Sequence, residues 1–173
     1  DYGSWPDQHR HEYSLADANP SIKTLFPKAG FEGGLYAALS ALTDECLGRE
    51  WEREDGAVLK IERALVDANW GQSTDVVYQF CRQSSHAGVI LPSHGRYVGA
   101  SSKPMTEYRK QQGDRLGFNW MLPNVAGKRA IRHVIYDTNY WKSFIHARLA
   151  VPVGDKGSLT LYGRIPGAHQ LFA

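Results

Sequence analysis

The chain has 173 residues, a formal net charge of +2 and a sequence pI of about 8.5, with 42% hydrophobic and 22% charged residues. That length allows one domain with a real core, the balance is that of an ordinary globular protein, and so mild a positive charge does not by itself mark a nucleic-acid binder. No apolar run approaches the length of a membrane helix, no secretory signal pattern opens the chain, and no linker divides it, so a single domain over 1–173 is expected.

The chain begins at Asp1 without a methionine and is expected to be a fragment or a processed form. "HEYSL" (11–15) and "SIKTLF" (21–26, closed by Pro27) read as short strands. "LYAALSALTDECL" (35–47) spaces Leu35, Ala38, Leu39, Leu42 and Leu47 for an amphipathic helix. After the turn signal Asp55-Gly56, "VLKIERALVD" (58–67) is aliphatic and bounded by turns, which predicts a strand. Ser73 or Thr74 can cap a helix with Val76, Val77, Phe80 and Cys81 on its apolar side. "GVILP" (88–92) predicts a buried strand stopped by Pro92. Residues 93–132 read as a loop-rich basic insertion. "HVIYD" (133–137) predicts a strand, and "YWKSFIHARL" (140–149) a helix with Trp141, Phe144, Ile145 and Leu149 on a core face. "SLTLYG" (158–163) closes with a strand. Strands alternating with helices after residue 30 predict an α/β fold with parallel pairing.

Several function classes fall away. Cys46 and Cys81 lie in helical patterns without a CxxC and read as reduced thiols. His9 and His11 have no partner pair at zinc-finger spacing. "AGKRA" (126–130) lacks the spacing and the Ser/Thr of a phosphate-binding P-loop, and no G-x-G-x-x-G occurs. No G-x-S-x-G elbow supports a serine hydrolase.

What remains is carboxylate chemistry. Asp67 and Asp137 each close an aliphatic strand just before a helix. In an open α/β sheet, ligands bind beyond the carboxyl ends of the strands. Two aspartates there repel each other unless protons or a cation intervene, and hard oxygen ligands suit Mg²⁺ or Mn²⁺. With two ions, one activates water and the other stabilises the leaving oxygen of a phosphodiester. An aspartate at a strand exit equally serves as a turn residue or helix cap. Lys142, at the start of the last helix, can lean toward such a site. His94, in the "SHGR" turn with Arg96, is a candidate phosphate contact. Tyr97, Tyr108, Phe118 and Trp120 stand among the cations of 93–132, a mixture that suits DNA backbone and exposed bases.

The run "VDANWGQSTDVVYQFCRQS…ILPSHGR", followed by "YDTNYWKSFIHARL", resembles the nuclease domain of phage terminase large subunits of the lambda-like class. The resemblance rests on order and spacing: Asp67 before Val77-Tyr78-Gln79-Phe80-Cys81-Arg82, then His94-Gly95, then Asp137-Thr138 with Lys142 and Arg148-Leu149. "DYGSWPDQ" resembles the family's first aspartate-bearing stretch. The resemblance implies a ribonuclease H-like mixed sheet flanked by helices, its first strand truncated here. It implies a metal-dependent DNA endonuclease that cuts concatemeric phage DNA during genome packaging with Mg²⁺ or Mn²⁺, two ions being expected. Asp1, Asp67 and Asp137 would form the acidic metal cluster, with Asp7 as the alternative to Asp1, and Lys142, His94 and Arg96 would meet DNA. The implied partners are double-stranded DNA, an upstream packaging ATPase domain, the small terminase subunit and the portal, with no membrane, in the cytoplasm of a phage-infected or prophage-bearing bacterium. Two other readings stay open: a non-catalytic DNA-binding or assembly module, and another ribonuclease H-like nuclease such as a resolvase or transposase.

Overall fold

The computed structural model describes residues 21–53, 55–125 and 131–159. Its elements in chain order are α1 (Ile22–Leu25), α2 (Gly30–Gly48), β1 (Trp51–Glu52), β2 (Val58–Leu59), β3 (Ala64–Asp67), α3 (Thr74–Gln83), β4 (Ile90–Arg96), β5 (Arg115–Gly117), β6 (Trp120–Leu122), β7 (Val134–Asp137) and α4 (Thr138–Leu149). Five strands form one sheet in the order β3-β4-β7-β6-β5. β3, β4 and β7 run parallel, and β6 and β5 continue the sheet antiparallel. This mixed α/β sheet with helices agrees with the ribonuclease H-like expectation. The "HEYSL" segment, and all but the first two residues of "SLTLYG", lie outside the described residues.

Four expectations about element bounds and caps are corrected. "SIKTLF" is a helical turn, because the Ser21 hydroxyl accepts from the Thr24 amide at 3.4 Å and starts a helix there. "VLKIERALVD" is two strands. β2 folds back on β1 through the Asp55-Gly56 turn, pairing Leu59 with Trp51, and β3 begins only at Ala64. The capping hydroxyls expected at α3 are used elsewhere: Ser73 Oγ donates to the Trp70 carbonyl at 2.7 Å and Thr74 Oγ1 to the Ala68 carbonyl at 2.8 Å. Pro92 does not stop β4, which runs through it to Arg96. The Val89 and Ser93 carbonyls bond β3, so alternation aims the Pro92 nitrogen at the β7 side. Pairing there begins only at Ser93–Val134, so no ladder bond is lost.

The 93–132 insertion holds the β5–β6 hairpin, which composition hides. Its turn is Phe118-Asn119, with Asn119 at φ +57, one of the few residue types that accept a left-handed backbone.

α3 supplies the core. Val77, Tyr78, Phe80 and Cys81 are buried with Ala68 and Ile90, and Tyr36, Leu39 and Leu47 of α2 pack on them. Tyr36 and Phe80 meet edge to face, with ring centres 5.6 Å apart. The apolar face expected on α3 is thus the observed one. That expected on α4 is not: no α4 residue is buried, and Ile145 is 40% exposed. α4 leaves the sheet edge from Asp137, and its aromatic rings pack on one another, Trp141 against Phe144 at 5.5 Å.

Both cysteines are free. Burial pushes the Cys81 thiol up to about 12, so it stays protonated and unreactive at ordinary pH. Cys46 is only half-buried. One thiol is therefore expected to react with a maleimide in the native protein at pH 8 and two after denaturation. Two fast thiols in the native state would contradict the packing of α3.

Candidate functional site

Because β3, β4 and β7 are parallel, their carboxyl ends arrive at one edge of the sheet, ending in Asp67, Arg96 and Asp137. This is the edge where open α/β sheets bind ligands.

Asp67 is exposed. Its Oδ1 accepts from the Asn69 amide at 3.1 Å, an Asx turn that bends the chain off β3. Its other oxygen takes no hydrogen bond from the described residues. The turn is pinned to β4 from both ends of the Asn69 side chain. Asn69 Nδ2 donates to the Gly95 carbonyl at 3.0 Å, and Asn69 Oδ1 meets His94 Nδ1 at 2.9 Å. His94 Nε2 in turn meets the Tyr78 hydroxyl of α3 at 2.9 Å. This pattern suits a neutral His94 that donates from Nδ1 and accepts at Nε2. His94, expected at phosphate, thus has both ring nitrogens engaged by the protein.

His133 joins this network, its ring centre 5.1 Å from His94 and 6.0 Å from Tyr78. Burial, with the Arg96 charge nearby, lowers its pKa. From the sequence, His133 reads as a satisfied core or surface residue with little functional weight. The signal was register: His94 pairs with Ile135, which puts His133, two residues earlier, on the same face.

Asp137 is buried and caps α4. Its Oδ1 accepts from the Asn139 and Tyr140 amides at 2.9 and 3.1 Å. Its own amide bonds the Asn119 carbonyl at 3.0 Å, which ties the hairpin turn to the end of β7. Arg96, its partner in register, and Lys142, in the first turns of α4, are both exposed at this edge. Lys142 makes no ion pair with Asp137. If Asp137 holds α4 as a cap, Asp137→Ala is expected to lower stability by about 0.5–2 kcal/mol, and Asp137→Asn, which keeps the accepting oxygen, by only a few tenths. Thermal melts measure both, and equal losses would contradict the capping role.

The two aspartates do not meet on one face as expected. Asp67 is level with Ser93, and through it with Val134, while Asp137 lies three residues further along β7. Alternation turns Asp67 the same way as Ser93 and Val134, and Asp137 the same way as His94 and Ile135, toward the face on which α3 packs. Two strand spacings and three residues of rise separate their Cα atoms by roughly 14 Å. Ions of a two-metal site lie about 4 Å apart, and the register sets the two aspartates on opposite faces of the sheet rather than side by side. Among the described residues no group of three or more His, Cys, Asp or Glu is arranged to hold an ion. Asp1 and its alternative Asp7 lie outside the described residues.

Gly95 keeps the edge narrow. A Cβ there would come within 2.5 Å of Thr138 Cγ2 and 3.2 Å of the Tyr136 hydroxyl. The glycine thus lets the start of α4 sit directly against β4, where Thr138 Oγ1 donates to the Arg96 carbonyl at 2.9 Å.

Curated proteins and solved structures yield no match to the chain. A family model does match, described as the endonuclease domain of the terminase large subunit gpA, and it covers residues 35–170. The matched span includes α3, β4, β7 and both strand-end aspartates. On that match the chain belongs to the endonuclease-domain family of the terminase large subunit gpA.

Proposed function

We propose that this domain is a metal-dependent endonuclease that cuts double-stranded, concatemeric phage DNA during genome packaging. The observation that carries the reading is the convergence of three parallel strand ends, two of them closed by aspartates, in a chain of a terminase endonuclease family. In such a packaging machine it would work beside an upstream ATPase domain, the small terminase subunit and the portal, in the cytoplasm of the infected host.

The arrangement of carboxylates suits one hard cation better than a shared pair. Mg²⁺ or Mn²⁺ is commonly held by one or two carboxylates, with phosphate oxygens and water completing the shell. Asp67, exposed and with one oxygen uncommitted, is the ligand we assign. The family resemblance adds Asp1 or Asp7 as a further candidate ligand. Such an ion, when bound, would offset the charge that develops on the phosphodiester oxygens. The protein's own groups do the rest. The Asn69 turn holds the Asp67 carboxylate in place, supported by His94 and Tyr78. Arg96 and Lys142 attract and orient phosphates. Asp137 serves the site by fixing the start of α4, and with it Lys142.

The test is cleavage of supercoiled plasmid. Nicked and linear products are expected with Mg²⁺ or Mn²⁺, none with a chelator, and recovery when the ion is restored. Cutting that ignores the chelator would refute metal dependence. A non-catalytic DNA-binding module is the second reading, favoured by the lack of a three-ligand group among the described residues. Salt-dependent DNA binding with no cleavage under either metal would establish it instead.

A further inference from the structure

The exposed aromatic residues among the described ones are Phe31, Trp70, Tyr97 and Phe118, and they gather at one edge of the sheet. Trp70 follows the end of β3 by three residues and is 66% exposed. Tyr97 is the first residue after β4 and is 79% exposed. Phe118 sits in the β5–β6 turn, which the Asp137 amide ties to the end of β7, and is 62% exposed. Phe31 meets the Trp70 ring edge-on at 5.9 Å.

Two of these rings, Trp70 and Phe118, are held in place by the structure around them. The Trp70 carbonyl accepts from both the amide and the hydroxyl of Ser73, at 2.8 and 2.7 Å. On its other side Asn69 is fixed to β4. Phe118 is set by the left-handed Asn119 beside it and meets the Tyr140 ring at 5.1 Å. Trp70, Tyr97 and Phe118 nonetheless leave most of their surface in water, where it adds little to the fold. They come one to a loop, with Arg96 and Lys142 exposed among them, rather than as a contiguous apolar patch. Protein interfaces centre on a desolvated apolar core from which charges are depleted. Rings alternating with cations are instead what a groove offers to a nucleic-acid strand, bases on the rings and phosphates at the cations. The rows from β3 to β6 span three strand spacings, roughly 14 Å. One strand of a duplex advances about 3.4 Å per nucleotide and a separated strand advances further, so the edge holds at most roughly four.

We propose that Trp70, Tyr97 and Phe118 form a stacking platform for unpaired bases, so that the domain holds a locally separated DNA strand across the carboxyl edge of its sheet. This deepens the endonuclease reading and rests on it: Trp70 follows Asp67 by three residues, so a strand held along the platform would lie at the strand end that carries that carboxylate.

The test is binding without cleavage, by the full chain in chelator. The probes are a fluorescently labelled single-stranded oligonucleotide and a blunt duplex of the same length, and each aromatic is changed singly. Base–aromatic stacking contributes on the order of five- to a hundredfold in affinity per base. Trp70→Ala, Tyr97→Ala and Phe118→Ala are each expected to weaken single-strand binding by at least about fivefold, with duplex affinity nearly unchanged and the salt slope unaltered, since no phosphate contact is lost. Trp70→Phe, which keeps a ring, should recover most of the loss. Equal weakening for the two probes, or none for the single strand, would overturn the proposal. So would self-association of the chain that these changes abolish without altering DNA affinity. Because the readout needs no metal and no cutting, it fails or succeeds separately from the plasmid assay.

Discussion

Phe80→Ala is expected to destabilise the domain by about 3–5 kcal/mol, the usual cost of emptying a fully buried aromatic site. Phe80 is 0% exposed at the centre of the core cluster. On one side it packs on Tyr36 of α2, and α3 carries it over the sheet beside Ile90 and Val66. Collapse around the void is limited, because α3 also carries the Tyr78 hydroxyl to His94 and the Thr74 hydroxyl to the Ala68 carbonyl. Both bonds fix the helix relative to the strands. In a domain of this size each kcal/mol lowers Tm by roughly 2–4 °C, so a fall of about 6–20 °C is expected in a thermal melt. Phe118→Ala, at an exposed turn, should move stability by no more than about 0.5 kcal/mol. A Phe80→Ala loss as small as that of Phe118→Ala would show that α3 does not carry the core.

Much of this core can be read from the chain. Val76, Val77, Phe80 and Cys81 have helical spacing, and the structure buries all four. "ALVD" and "HVIYD" end as strands where the aliphatic runs end. These are local signals, set by periodicity and by turn formers. What failed was non-local. The strand through Pro92 survives because its neighbour on that side begins one residue later, which no local pattern reveals. The hairpin at Phe118-Asn119 lacks the usual Asn-Gly and depends on a left-handed asparagine. The relation between Asp67 and Asp137 failed for the same kind of reason. Each strand exit was legible, but register across β4 decides which face each side chain takes. A shift of one residue in either pairing would turn one aspartate to the other side. His133 and the Asn69 clamp were hidden likewise, since both depend on what His94 faces across the sheet.

The edge thus separates two roles that look identical in sequence. Asp137 is buried with its Oδ1 turned into a helix start, whereas Asp67 is exposed beside a clamped loop. On the Asp67 side of β3, Leu65, two residues before it, is 49% exposed, so the described residues leave this edge strand's side chains accessible there. A single charge-removing change there should therefore act on chemistry and leave the fold intact. Asp67→Asn keeps an oxygen to accept from the Asn69 amide but loses the negative charge that attracts a hard cation.

The decisive measurement is the rate at which Asp67→Asn cuts supercoiled plasmid in Mg²⁺, beside the parent and with melting temperatures matched. A loss on the order of 100-fold or more is expected, with Tm unchanged to within a degree or two and metal-free DNA binding retained. Cleavage at the parental rate would contradict it and remove Asp67 from the site.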